Sequence, residues 1–213
     1  DLGEKIASKY GVETEKTLTG FKFIGEKVAK YEKTQAKNYV FGYEESYGSL
    51  IKPFVRDKDA PQACLMLAEA ACFYKAQGKT LVDVLNGLYA ELGYYKESQT
   101  SLTLKGQEGA LRIKEILDTL RKDKPAQIGG TAVVAIEDYQ EATREENGVI
   151  AALEGFSRSN VLKYYLADGS WIAIRPSGTE PKCKFYYCIK GASAQDAEAK
   201  TEIMQKAIAD LVA

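Results

Sequence analysis

Residues 175–182 read Arg-Pro-Ser-Gly-Thr-Glu-Pro-Lys. These are residue types that hold an oxyanion. Arg175 is a permanent cation whose planar fork of donors fits phosphate oxygens. Ser177 and Thr179 add hydroxyls. Gly178 admits positive φ, so successive backbone N–H groups can turn inward as a nest. Pro176 and Pro181 stiffen both ends, which lowers the entropy cost of holding such a cradle open. Lys182 places a second cation at the rim. A polar hairpin loop with a solvated arginine would use the same residues, so the spacing alone leaves both readings open.

A second informative stretch is Gly-Tyr-Glu-Glu-Ser-Tyr-Gly, residues 42–48. A carboxylate accepts hydrogen bonds from vicinal hydroxyls, and a serine both donates and accepts. Glu44 and Ser46 therefore suit a sugar ring. Adjacent carboxylates can also ligate a metal or work as acid and base. Neighbouring strand residues face opposite sides, however, so Glu44 and Glu45 are expected to diverge. A solvated acidic turn stays open as an alternative. Asp57 and Asp59, without further ligands, read as a solvated turn and not a metal site.

The elements around these loops divide into two halves. In the first, helical spacing over residues 2–10 and 21–31 alternates with extended stretches at 12–18 and 38–43. Residues 61–76 form a nearly all-apolar helix, which implies burial on most sides, and Thr80 caps a further helix to residue 92. Such alternation predicts a parallel α/β unit, in which ligands sit beyond the carboxyl ends of the strands. Residues 17–20 and 44–48 should then share one edge. In the second half, residues 95–104, 131–136, 161–166, 171–174 and 183–189 read as strands. Residues 107–121 form an amphipathic helix burying Leu111, Ile113, Ile116, Leu117 and Leu120. Ser193 caps a last helix whose inner stripe is Met204, Ala207, Ile208 and Leu211. Residues 138–160 read as a charged, mobile surface excursion. The expected fold is α/β followed by α+β: a partial three-layer domain over residues 1–93, then a smaller domain over 94–213 with helices on one face of an antiparallel sheet.

Composition excludes several classes. The 213 residues carry 29 basic and 30 acidic side chains, so neither a nucleic-acid nor a membrane partner is indicated. There is no histidine, which rules out Ser-His-Asp and Cys-His triads within this chain. The four cysteines, Cys64, Cys72, Cys183 and Cys188, form no Cys-x-x-Cys pair. Cys64 and Cys72 are expected to be buried in their apolar helix. Reduced thiols fit a cytoplasmic protein. The chain opens inside a helical pattern, as a piece of a longer polypeptide would.

The string at 175–182 resembles the phosphate-binding loop in the last domain of the α-D-phosphohexomutases. Residues 42–48 resemble the sugar-binding loop of that family's domain three, and 17–25 and 56–60 resemble its longer bacterial α-phosphoglucomutase branch. The resemblance covers essentially the whole chain. It implies phosphate binding by Arg175, Ser177, Gly178, Thr179 and Lys182. It implies contacts to sugar O3 and O4 by Glu44 and Ser46, with Gly20 and Lys22 as weaker candidates. Tyr47 departs from the Gly-His of many members, and its role is open. The implied activity is an isomerase, interconverting glucose 1-phosphate and glucose 6-phosphate through glucose 1,6-bisphosphate. Phosphomannomutase activity and a non-catalytic sugar-phosphate binding module are the alternatives. The family's catalytic serine stretch and its Mg2+ loop do not occur in this sequence. The implied partners are therefore a phosphosugar and the N-terminal domains of the same polypeptide, and this chain alone is expected to be inactive.

Overall fold

The alternation across residues 183–189 becomes the centre of a sheet. The computed structural model describes residues 1–177 and 180–212. Its helices are α1 (Leu2–Lys9), α2 (Phe21–Thr34), α3 (Ala60–Lys75), α4 (Leu81–Leu92), α5 (Gly106–Lys122) and α6 (Ala194–Leu211). Its strands are β1 (Gly42–Tyr43), β2 (Ser49–Leu50), β3 (Tyr94–Thr103), β4 (Gln127–Ile128), β5 (Thr131–Asp138), β6 (Thr143–Glu146), β7 (Val149–Ala152), β8 (Leu162–Leu166), β9 (Trp171–Pro176) and β10 (Lys182–Gly191). The chain divides into two units. One is Gly11–Leu88; the other joins Asp1–Tyr10 to everything from Tyr89 onward.

In the larger unit the strands run β3-β10-β9-β8-β5-β6-β7, with β4 attached to β5, and every ladder is antiparallel. Cys183, Phe185, Tyr187 and Ile189 enter the core from β10, beside Leu162, Tyr164, Ile172 and Ile174. Ile113, Ile116, Leu117 and Leu120 of α5 and Met204 and Ile208 of α6 complete it. Full burial of each such aliphatic side chain contributes roughly 1.5–3 kcal/mol. This is the expected antiparallel sheet with α5 and α6 on its core face. Two expected core residues are outside it. Leu111 is 62% exposed and Leu211 42%. Residues 113, 116, 117 and 120 follow the i, i+3, i+4, i+7 stripe, whereas Leu111 falls roughly 160° away from Ile113. Leu211 ends its helix one residue before the C-cap Val212.

Residues 138–160 are not an irregular excursion. β6 and β7 pair through Thr143↔Ala152 to Glu146↔Val149 and extend the sheet. Asn147 and Gly148 both take positive φ (52° and 76°), the conformation a two-residue type I′ hairpin needs. β7 is an edge strand, exposed at every position. Glu137 of β5, buried at 7% exposure, is satisfied by Tyr139 Oη (2.9 Å), Tyr165 Oη (3.0 Å) and Arg144 Nη1 (2.7 Å). That carboxylate ties β5, β6 and β8 together.

The smaller unit differs from expectation in its sheet. Among the described residues its only ladder is the antiparallel pair β1–β2, with Gly42 opposite Leu50. Residues 12–18 form no strand. A strand needs a neighbour to take its N–H and C=O groups, and here side chains hold the segment instead. Glu15 accepts from Lys27 Nζ at 2.6 Å, from Lys37 Nζ at 2.7 Å and from Tyr31 Oη, which fixes it to α2. Phe21, Val28 and Leu50 are the buried apolar residues of this unit. The expectation that α3 is covered on most sides is not met: Leu65, Leu67 and Phe73 are 71%, 61% and 62% exposed. Cys64 and Cys72 are likewise exposed, whereas Cys183 and Cys188 are buried. α3 is apolar around its circumference, and its contact with β2 is made near its N-terminal end, where Gln62 accepts from the Ile51 and Lys52 N–H groups. Asp59 is not merely a solvated turn residue; its carboxylate caps α3 by accepting from the Gln62 N–H at 3.0 Å.

Two outcomes follow from these contacts. Cys64 and Cys72 should react with Ellman's reagent at pH 8 in the native protein, and Cys183 and Cys188 only after denaturation, since burial pushes the Cys183 thiol up to about 12. For Glu15, burial opposes ionisation, but bonds from Lys27, Lys37 and Tyr31 outweigh it and lower the carboxyl from 4.5 to about 2. A depressed carboxylate stabilises the fold above its unfolded value, and that contribution disappears as pH falls through the folded value. Glu15→Gln should therefore cost about 1 kcal/mol at pH 7, allowing for partial exposure. It should also flatten the stability loss between pH 4.5 and 2. Thermal melts across that range check both statements.

Candidate functional site

The register between β9 and β10 sets the first site. Arg175 is the direct cross-strand partner of Lys184, so two cations share one face. Like charges placed opposite each other repel. Among the described residues Arg175 forms no ion pair with a carboxylate, although Glu180 lies in the same loop. The loop closes on itself by backbone bonds. Ser177 N–H donates to Lys182 O at 2.7 Å, Lys182 N–H to Glu180 O at 2.7 Å, and Leu104 N–H to Pro181 O at 2.9 Å. Ser177 Oγ accepts from Glu180 N–H at 3.3 Å. The amides of Ser177 and Glu180 are thus engaged within the loop. Gly178 and Thr179, which were expected to supply further donors, lie outside the described residues.

Arg175 and Ser177 line a pocket of about 460 Å³ together with Glu180 of their loop, Ile113 and Lys114 of α5, and Asn160 from the segment before β8. Among the described residues its donors are a guanidinium, an ammonium, the hydroxyls of Ser159 and Ser177 and a carboxamide, and its acid is Glu180. Lys182 belongs to the strand that follows and does not line this pocket. Lys114 and Asn160 escaped sequence reasoning. Lys114 is on the helix flank beside the core position Ile113, and Asn160 closes the stretch read as an excursion.

The second site lies within the smaller unit. Glu44 N–H donates to Gly48 O at 2.9 Å and closes a turn that holds Glu45, Ser46 and Tyr47. The Glu44 side chain is 10% exposed, receives Ser46 Oγ at 3.0 Å and has Lys58 Nζ at 3.6 Å. Glu45 is exposed, so the two adjacent carboxylates do diverge. A Cβ on Gly48 would stand 2.3 Å from Lys58 Cδ and 2.8 Å from Glu44 Oε1, so a larger residue there would displace the lysine and carboxylate side chains. Lys58 Nζ also lies 5.8 Å from the centroid of the Phe21 ring. One lysine therefore reaches both the Glu44 loop and the start of α2. Gly20 is the N-cap of α2 with φ 122°, and Lys22 Nζ rests over the Phe23 ring at 4.8 Å. Tyr47 combines φ 68° with 99% exposure. A non-glycine residue in that region is strained, and such strain concentrates at ligand sites. Among the described residues no three His, Cys, Asp or Glu side chains gather to hold a metal ion.

Comparison with known proteins agrees over both units. Residues 1–92 match the family described as phosphoglucomutase/phosphomannomutase, alpha/beta/alpha domain III, and residues 120–206 match phosphoglucomutase/phosphomannomutase, C-terminal domain. A phosphoglucomutase of Staphylococcus aureus (strain N315) is 38% identical over 206 residues, covering 96% of this chain and 37% of that protein. One from Staphylococcus haemolyticus (strain JCSC1435) is 38% identical over 188 residues, covering 87% of this chain and 34% of that protein. The chain thus spans about a third of the length of these relatives. The fold also resembles the open form of the exocytosis-sensitive phosphoprotein pp63/parafusin, a phosphoglucomutase from Paramecium, with a TM-score of 0.64 at 21% identity over 98% of this chain and 35% of that one. The chain belongs to the phosphoglucomutase/phosphomannomutase family, and what it carries of that family is domain III sequence followed by the C-terminal domain.

Proposed function

We propose that this chain is the C-terminal part of a cytoplasmic phosphoglucomutase and supplies the sugar- and phosphate-binding loops for interconverting glucose 1-phosphate and glucose 6-phosphate. In this reading residues 1–93 are the latter part of domain three and residues 94–213 are domain four. The observation that carries it is Arg175: a guanidinium set in register with Lys184, lacking a carboxylate partner among the described residues, at the mouth of a pocket with Ser177. A phosphate in that pocket would accept charge-assisted bonds from the guanidinium.

The residues of this chain position and do not react. Arg175, Ser177, Gly178 and Thr179, with Lys182 at the rim, grip the phosphate that is not being transferred. Glu44, with Ser46, accepts and returns hydrogen bonds to O3 and O4 of the sugar, while Gly20 and Lys22 border the ligand. Both hydroxyls are presented whichever end of glucose 1,6-bisphosphate faces the phosphoryl acceptor. Holding the ligand in either sense makes the reaction effectively intramolecular. The phosphoserine and the Mg2+ that would transfer the phosphoryl group are expected on domains that these residues do not include. Contacts to O3 and O4 do not distinguish glucose from mannose, which differ at O2, so the same geometry also serves a phosphomannomutase.

NMR titration of this chain with glucose 1,6-bisphosphate should shift signals around Arg175, and Arg175→Ala should weaken binding roughly 10- to 100-fold, the worth of hydrogen bonds to a charged group. In the full-length gene product, Glu44→Gln should raise KM and lower kcat/KM for glucose 1-phosphate. A full-length product without mutase turnover, or a titration that leaves Arg175 unmoved, would refute the assignment.

A further inference from the structure

We infer that Asn160 is a further phosphate contact in the Arg175 pocket and that Arg121 is the positioning residue behind it; this rests on the phosphate reading of that pocket. Arg121 lies near the end of α5 with a side chain only 14% exposed. Its Nε donates to Asp138 Oδ2 at 2.9 Å and its Nη2 to Asp138 Oδ1 at 3.4 Å. Asp138 is 13% exposed and is itself fixed, because its Oδ1 also accepts the Gln140 and Glu141 N–H groups at 2.9 and 3.3 Å. The guanidinium is therefore held against the end of β5 by a nearly buried, two-pronged pair. Such a pair is weak evidence for stability but strongly constrains where its remaining donors point.

One remaining bond is Arg121 Nη2 to Asn160 Oδ1 at 2.6 Å. A guanidinium only donates, so the atom it meets must be the carboxamide oxygen. That settles the orientation of the amide and leaves both Nδ2 hydrogens for another acceptor. Arg121 lines a separate cavity of about 270 Å³ with Asp138, whereas Asn160 lines the pocket of Arg175 and Ser177. Asn160 lines the Arg175 pocket while its oxygen is held by Arg121, which leaves its Nδ2 hydrogens as the donors it can offer a phosphate there. The segment that carries it is fastened as well: Ser159 N–H donates to Tyr139 O at 3.1 Å and Tyr139 N–H to Val161 O at 3.0 Å. A donor fixed before the ligand arrives loses little rotamer entropy on binding.

The test is a titration of this chain with inorganic phosphate, followed by the side-chain signals of Asn160 and Arg175 in 15N–1H spectra. Both the Asn160 Nδ2 pair and Arg175 Nε–H are expected to shift along one binding curve. Asn160→Ala should weaken phosphate roughly tenfold. Arg121→Lys should weaken it in the native background yet add no further loss to Asn160→Ala, a non-additivity that a purely structural arginine would not produce. If Arg121→Lys does not fold, the Asn160 shift and the Asn160→Ala affinity decide. Arg175 shifting while the Asn160 amide stays still would overturn this inference and leave the pocket reading standing. Neither moving would overturn both.

Discussion

An arginine facing a lysine across an antiparallel ladder is the constraint around which the larger unit is arranged. The pairing of Arg175 with Lys184 is unfavourable on its own, and it is imposed by the register of β9 on β10. That register is in turn fixed by what lies beneath it. Ile172 and Ile174 alternate inward against Phe185 and Tyr187, and a slip of one residue would turn all of them outward. Burial of the core face thus sustains the cation pair on the other face. The helices contribute to the same end: α5 buries its apolar stripe under β10 and leaves Lys114 on its flank beside the loop.

The smaller unit is organised by side chains more than by ladders. Two strands of two residues each cannot hold a fold. Glu15 fastens residues 12–18 to α2. Gln62 Oε1 accepts the N–H groups of Ile51 at 3.2 Å and Lys52 at 2.6 Å, and so joins α3 to the chain leaving β2. Lys58 draws Glu44 toward the start of α2. The result is a polar scaffold in which Glu44, a carboxylate with a side chain only 10% exposed, has a hydroxyl donor two residues away.

Much of this was legible in the chain, for identifiable reasons. Ser193 and Thr80 carry the short side chains that cap helices, and both do so: Ser193 Oγ accepts from Asp196 N–H at 3.1 Å and Thr80 Oγ1 from Asp83 N–H at 3.1 Å. The alternation of β10 announced its two faces. Asn147-Gly148 was as clear a hairpin signal as the sequence holds, yet the charged residues around it hid β6 and β7. Composition misled for α3, where apolar content predicts burial only if another element arrives to cover it. The parallel sheet expected of residues 12–43 required strand neighbours that local pattern cannot supply. Asn160 was invisible for a different reason: its importance comes from Arg121, 39 positions earlier, and no local pattern reports a contact of that span.

The hairpin of β6 and β7 leaves one backbone edge of the larger sheet unpaired, and Val149 and Ile150 on it are 68% and 64% exposed. Such an edge is a template for another copy's strand. Acidic residues bracket it: Glu145 and Glu146 lie across the turn and Glu154 follows two residues after Ala152. These carboxylates act as electrostatic gatekeepers. Charge on the neighbouring strand and turn, and not the edge itself, therefore governs how readily β7 accepts a further strand.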